Sequence, residues 1–262
     1  GKSNYGIILK NQVESTNGYT EFYGSRTSAT SYRPKLVVTY SDVVSTPTTV
    51  STDKSKYEQG ESVSISWSGI SCNSLKQVEY RIGTADEDWN DINTQYVAYT
   101  KLAGSKSSGT ATVPGTGSFS PGRYKIFVRG VSTTGENGTG RGVRFMITPT
   151  APSSVSVNKD VYTPGDTIAV TWSGIASSNG FSRIEYAFSD MEDEDEDLLE
   201  FNTLTSSGAS SGTAYLQAPT DLESGGYFLY IRGVSSNNVE GAALSCPVEI
   251  GEDQAPTIKT LT

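Results

Sequence analysis

Val50–Ile70 reads VSTDKSKYEQGESVSISWSGI, and Val155–Ile175, 105 positions on, reads VSVNKDVYTPGDTIAVTWSGI. In both stretches apolar residues alternate with small ones. Val63, Ile65 and Trp67 are interleaved with serines, and Ile168, Val170 and Trp172 with Ala169 and Thr171. Successive side chains of a strand point to opposite faces, so a period of two marks a strand with one buried face. The relation recurs downstream. SSGTATV at Ser107–Val113 returns as SSGTAYL at Ser210–Leu216, and GRYKIFVRGVS at Gly122–Ser132 returns as GGYFLYIRGVS at Gly225–Ser235, both 103 positions later. Repetition at a near-constant period means one structural unit used twice. The copies occupy 46–148 and 149–251.

In the first copy, seven strand-like segments fall near 47–57, 62–70, 75–83, 95–102, 107–114, 122–132 and 141–148. Clusters of Gly, Pro, Asn and Ser separate them and favour turns. No stretch of ten or more residues holds a helical period. Seven short strands in about 100 residues predict an all-β, two-sheet sandwich for each copy. Trp67 and Trp172 are expected between the sheets. The Pro-containing junctions Ser45–Thr48 (STPT) and Thr148–Pro152 (TPTAP) predict extended linkers that hold the modules apart.

Composition narrows the function. The 262 residues include 20 basic and 29 acidic side chains, for a net charge of −9, which repels nucleic acid and anionic membrane surfaces. There is no histidine. That removes the commonest general base, the Ser-His and Cys-His pairs, and most zinc and copper sites, so the chain is read as not an enzyme. Apolar runs of about four residues are far short of the ~20 needed for membrane insertion as a helix. Two cysteines, Cys72 and Cys246, are too few for a disulfide scaffold. They are either two isolated thiols or one interdomain disulfide.

Each copy carries a K-x-x-Y-x-x-G-(D/E) stretch, a Trp in its second strand, and a G-x-Y-x-x-x-x-R-G-V-S stretch near its end. In these features it resembles the bacterial Ig-like and fibronectin type III-like modules of extracellular proteins. The resemblance implies tandem seven-stranded Ig-like β-sandwiches, with Tyr124 and Tyr227 as corner tyrosines whose hydroxyls bond back to the backbone. It says little about function.

Residues 1–45 stand outside the repeat. Tyr5–Lys10 (YGIILK), Thr20–Gly24 (TEFYG) and Lys35–Tyr40 (KLVVTY) read as strands, about forty residues rarely bury enough surface to fold alone, and the stretches Tyr5–Lys10, Glu21–Ser25 (EFYGS) and Arg33–Tyr40 (RPKLVVTY) carry a family likeness. The segment resembles the C-terminal end of DNRLRE-type β-sandwich domains, which are similar to carbohydrate-binding modules and occur in Gram-positive wall-associated proteins, some carrying RHS repeats. It is thus expected to be a partial β-sandwich. Its strands are completed by a removed part of the chain, by packing on the first module, or by another copy or another chain through strand addition. Residues 252–262 read as a linker or the start of a next module.

Candidate sites are few. Asp190–Glu200 (DMEDEDEDLLE) holds eight acidic residues, and Asp86–Asp91 (DEDWND) is a milder counterpart. Calcium needs six to eight oxygens, which makes Asp190, Asp193, Asp195 and Asp197 candidate metal ligands. The competing reading is a solvated acidic loop. Both runs read as exposed, which gives no buried carboxylate pair for glycoside hydrolysis. Lys54 and Lys159 occupy equivalent polar stretches, and the last strands lack Asn, so a Lys–Asn isopeptide crosslink is not expected.

Sugar-stacking candidates are Tyr19, Tyr23 and Tyr32 near the start, with Tyr96, Tyr99, Phe228 and Tyr230 on outward faces; β-propensity alone also accounts for such residues. Arg129 and Arg232 are expected to pair with acids or pack across strands. No cofactor is expected beyond a calcium ion on the acidic loop. The function expected is a non-catalytic stalk, spacer or assembly segment of a secreted or cell-surface bacterial protein. Its partners would be neighbouring domains or further copies. The alternative is a carbohydrate-binding module for a cell-wall or environmental polysaccharide.

Overall fold

The computed structural model describes Ser28 and residues 42–85, 91–192 and 199–251, with backbone only for 91–96. The strands of the described residues lie in the compact unit Asp42–Thr262. The first module contains β1 (Thr49–Thr52), β2 (Lys56–Glu58), β3 (Ser64–Ser68), β4 (Leu75–Ala85), β5 (Asp91–Ala103), β6 (Gly109–Thr112), β7 (Gly122–Ser132) and β8 (Arg141–Thr148). The second contains β9 (Ser154–Val157), β10 (Val161–Tyr162), β11 (Thr167–Ser173), β12 (Phe181–Ser189), β13 (Asn202–Thr205), β14 (Gly212–Gln217), β15 (Gly225–Ser235) and β16 (Leu244–Ile250).

The two topologies are the same. One sheet runs β1-β3-β6 and the other β2-β8-β7-β4-β5, and the second module repeats this as β9-β11-β14 and β10-β16-β15-β12-β13. The chain is therefore an all-β pair of sandwiches, each closed over its own core. Val63, Ile65, Trp67, Tyr124, Ile126 and Val128 are buried in the first, and Ile168, Val170, Trp172, Leu229 and Ile231 in the second. Each indole spends its N–H on a backbone carbonyl, Trp67 on Lys106 at 3.1 Å and Trp172 on Ala209 at 3.0 Å, so the ring is buried with its polar atom satisfied. Gly109 and Gly212 lie against these rings. A Cβ there would sit 2.9 Å and 2.8 Å from the indole carbons.

One expectation needs correction. The segment read as a single strand over 47–57 is two strands in opposite sheets, β1 on β3 and β2 on β8. The cause is the tyrosine of the K-x-x-Y motif. Tyr57 is only 1% exposed, and its hydroxyl donates to the Asp53 carboxylate while accepting the Lys54 N–H at 3.1 Å. That contact folds 53–55 into a crossing. The second module does the same: Tyr162, fully buried, donates to Asn158 at 2.9 Å and accepts the Lys159 N–H at 2.8 Å.

The rest of the motif closes the following turn. Gly60 and Gly165 have φ of 102° and 89°, which side chains disfavour, and the acid after each accepts a turn N–H, Glu61 from Glu58 at 2.9 Å and Asp166 from Thr163 at 3.2 Å. Lys54 and Lys159 pair with these same acids at 2.7 Å and 3.4 Å. Both corner tyrosines are as expected: Tyr124 donates to Ser120 O at 2.8 Å and Tyr227 to Glu223 O at 3.0 Å.

Candidate functional site

The junctions are not spacers. Ser45 N donates to Ser71 O at 2.9 Å and Thr48 N to Ser68 O at 2.8 Å, while Thr150 N donates to Ala176 O at 3.1 Å and Ser153 N to Ser173 O at 2.8 Å. Each junction lies along the module that follows it, using backbone donors that proline spacing leaves free. Only a few residues then separate β8 from the second module, and the two sandwiches touch.

The joint is polar and satisfied. Two loops of the second module, between β11 and β12 and between β15 and β16, meet the turns after β2 and before β7. Asn179 and Asn237 both donate to the Pro121 carbonyl, at 3.2 Å and 2.8 Å. Asn179 also donates to Asn237 Oδ1 at 3.0 Å, which Ser235 holds at 2.6 Å. Ser178 N donates to Gln59 Oε1 at 2.8 Å, its hydroxyl donates to Ser120 Oγ at 2.8 Å, and Ala151 N donates to Glu58 Oε1 at 3.1 Å. Sequence reasoning missed these residues, because asparagine and serine in a turn cluster read the same whether they make the turn or reach a neighbour. The signal was the repeat itself: Thr134 stands where the second copy has Asn237.

Beside the joint lies a cleft of about 370 Å³. Lys56, Glu58, Arg123 and Met146 line its first-module side, and Glu240 and Ala242 its second-module side.

On the outer faces, Arg129 binds Glu79 at 2.8 Å and stacks 3.7 Å over the Tyr99 ring; Arg232 binds Glu185 at 2.7 Å and Glu240 at 3.2 Å, and stacks 3.8 Å over Phe201. The expected pairing and packing both occur. Tyr99 is consequently half-buried, with a guanidinium stacked on its ring. Tyr230 is also corrected. It is 5% exposed, because the chain after β12 folds over it and its hydroxyl donates to the carbonyls of Met191, at 2.9 Å, and Glu192. Phe228 is half-buried, in register with Pro247. Tyr215, unnoticed in the sequence, is 69% exposed on β14. Tyr19, Tyr23, Tyr32 and the side chain of Tyr96 lie outside the described residues.

Of the candidate calcium ligands, Asp190 is exposed at the end of β12, and Asp193, Asp195 and Asp197 lie outside the described residues. Asp190, Glu200, Asp221 and Glu223 border one depression, yet among the described residues no three acidic, Cys or His side chains are placed to hold a metal ion. Cys72 and Cys246 are both free thiols, which removes the disulfide alternative. Burial pushes the Cys246 thiol up to about 11, so it is a core residue and not a nucleophile.

The class these features define is a tandem β-sandwich chain with a built joint. No family model and no curated protein matches it. Among solved structures it is similar to the FN1–FN3 domains of chicken CNTN1, at 14% identity over 81% of this chain and 68% of that one, with a TM-score of 0.32. It is similar to the fibronectin(III)-like modules of Clostridium thermocellum CbhA, at 15% identity over 77% and 94%, with a TM-score of 0.29. A third is the chicken interferon gamma receptor alpha chain, at 11% identity over 79% and 98%, with a TM-score of 0.38. The fold assignment rests on the sheets themselves.

Proposed function

We propose that this chain is a non-catalytic structural segment of a secreted or cell-surface bacterial protein, in which two sandwiches act as one spacer that presents neighbouring domains. The observation that carries the reading is the joint. Asn179 and Asn237 converge on the Pro121 carbonyl, and Gln59 and Glu58 take two further N–H donors, so the second module is oriented on the first by directional bonds. A freely jointed pair would leave those groups to water. Extracellular placement and a Gram-positive wall protein as parent are supported by the motif resemblance of the repeats and of residues 1–45. No helix of the described residues is long and apolar enough to cross a membrane.

Spin labels on β6 and β14 test the spacer. One narrow distance distribution is the expected result, and a broad one spanning tens of ångströms would defeat it. Assembly through residues 1–45 is tested separately by light scattering. A multimer that becomes monomeric when 1–45 is deleted supports strand completion between copies, and equal monomers of both lengths exclude it.

A further inference from the structure

We propose that the outer faces of the two five-stranded sheets are complementary, so that the first module of one copy docks on the second module of another. The repeat sets both faces in one frame. On the first module, Lys125 of β7 is in register with Arg144 of β8. The same positions on the second module are Phe228 of β15 and Pro247 of β16, also in register. Residues in register project from the same face. Two residues along, Met146 opposite Arg123 becomes Glu249 opposite Gly226. Two cations are thus exchanged for an aromatic–proline pair, and a thioether for a carboxylate.

The second-module face is a receiving surface. Phe228, Pro247 and Val248 line a groove of about 420 Å³ together with the carboxylates Asp160 and Glu249. A Cβ on Gly226, which also lines it, would meet nothing within 4 Å. Among the described residues no cation stacks on Phe228, and neither acid makes an ion pair. The chain builds the filled version of this set twice within itself: Arg129 lies 3.7 Å over Tyr99 and binds Glu79, and Arg232 lies 3.8 Å over Phe201 and binds Glu185. The groove therefore fits a lysine or arginine brought by another molecule, its stem on the apolar surface and its head at a carboxylate.

The first module supplies such a side chain. Lys125 makes no ion pair among the described residues, and Arg144 is exposed beside it with a contact of its own. Lys125 therefore carries the docking, and Arg144 adds charge. The distribution of charge selects the same pairing. Residues 46–148 hold 11 basic and 9 acidic side chains, whereas 149–251 hold 3 and 15. Two second modules repel each other strongly, and a first module against a second is the attractive arrangement. Within one chain the joint engages the loop after β15, which leaves the groove, at the opposite end of that strand, to another copy. The contact is heterologous and closes into a pair or runs on as a chain. It does not use residues 1–45.

Sedimentation velocity of the full chain over a range of concentrations reads the contact directly. Reversible association is expected, weakening as salt is raised from about 0.05 M to about 0.5 M. Lys125→Glu and Glu249→Lys each weaken it by about tenfold or more with unchanged melting, and mixing the two variants restores complexes that neither forms alone. Lys125→Gln and Glu249→Gln give smaller losses and serve if a charge reversal misfolds. Strand completion through residues 1–45 would be indifferent to these substitutions, so the two modes of assembly are told apart. A chain that stays monomeric at every concentration, as it would with its own residues 252–262 filling the groove, overturns the proposal. So does association that neither substitution weakens, or a mixture of variants that stays apart.

Discussion

The two modules are one scaffold with different faces. Their topologies coincide strand for strand, and the same devices recur at the same places: the buried tyrosine that throws the chain from one sheet to the other, the indole whose N–H meets a carbonyl, the corner tyrosine, and the arginine stacked on an aromatic ring. The faces diverge. β5 runs from Asp91 to Ala103 where its counterpart β13 is only Asn202–Thr205, and Lys125 and Arg144 of the first module are replaced by Phe228 and Pro247 in the second. What repeats is what closes a sandwich. What does not repeat is where specific function is to be sought.

The largest test asks whether the scaffolds are equivalent in energy. Trp67→Ala and Trp172→Ala each remove a large side chain that is 3% exposed, at a cost of about 3–5 kcal/mol. Calorimetry of the intact chain should show each substitution lowering the transition of its own module. Equal shifts of both transitions would mean that the modules unfold as one.

A difference is expected at the arginine pairs. Glu185 is 5% exposed and holds both Arg183 at 2.6 Å and Arg232 at 2.7 Å, whereas among the ion pairs of the described residues Glu79 holds Arg129 alone. Removing one partner of a buried pair strands the other charge, so Glu185→Gln costs about 3 kcal/mol and Glu79→Gln clearly less. Similar losses would show that burial does not separate the two sites.

Alkaline pH should separate the modules again. The neutral Cys246 thiol is favoured in the folded core, where burial raises it from 9.0 to about 11. A raised folded value gives stability that is complete below pH 9 and lost as pH climbs through 11. The loss at pH 11 is on the order of 2 kcal/mol and belongs to the second module. Tyr57, held up to about 12 by burial and by its bond to Asp53, gives the first module a corresponding loss that begins only above pH 10. Denaturant melts at pH 8 and pH 10.5 should show the second module weakening first, and Cys246→Ala should abolish that early loss.

These contrasts follow what local sequence can encode. Alternation exposed the core strands and the repeat exposed the topology, because both are periodic along the chain. The split of 47–57 was hidden, since Thr52, Asp53, Lys54 and Ser55 include no Gly or Pro to punctuate a strand, and the side-chain contact between Tyr57 and Asp53 turns them into a crossing. Tyr230 alternated outward and was covered by Met191 and Glu192, a burial made by a distant part of the chain. The joint was illegible for the same reason, as its geometry depends on two modules meeting.

The joint therefore supplies the last and smallest energetic test. Asn237 contributes a donor to the Pro121 carbonyl and an acceptor to Asn179, and the first module has Thr134 in its place. Threonine keeps a hydroxyl near Ser235 but cannot span to Pro121, so Asn237→Thr removes bonds worth about 1 kcal/mol together. Neither module's core is touched, and both calorimetric transitions should stay within a degree or two. The label-to-label distance distribution should broaden instead, most of all when Asn179→Ala is added. A distribution that stays narrow in the double variant would assign the orientation to the contacts of Gln59 and Glu58 with Ser178 and Ala151, and would make the asparagines loop formers like their counterparts in the first module.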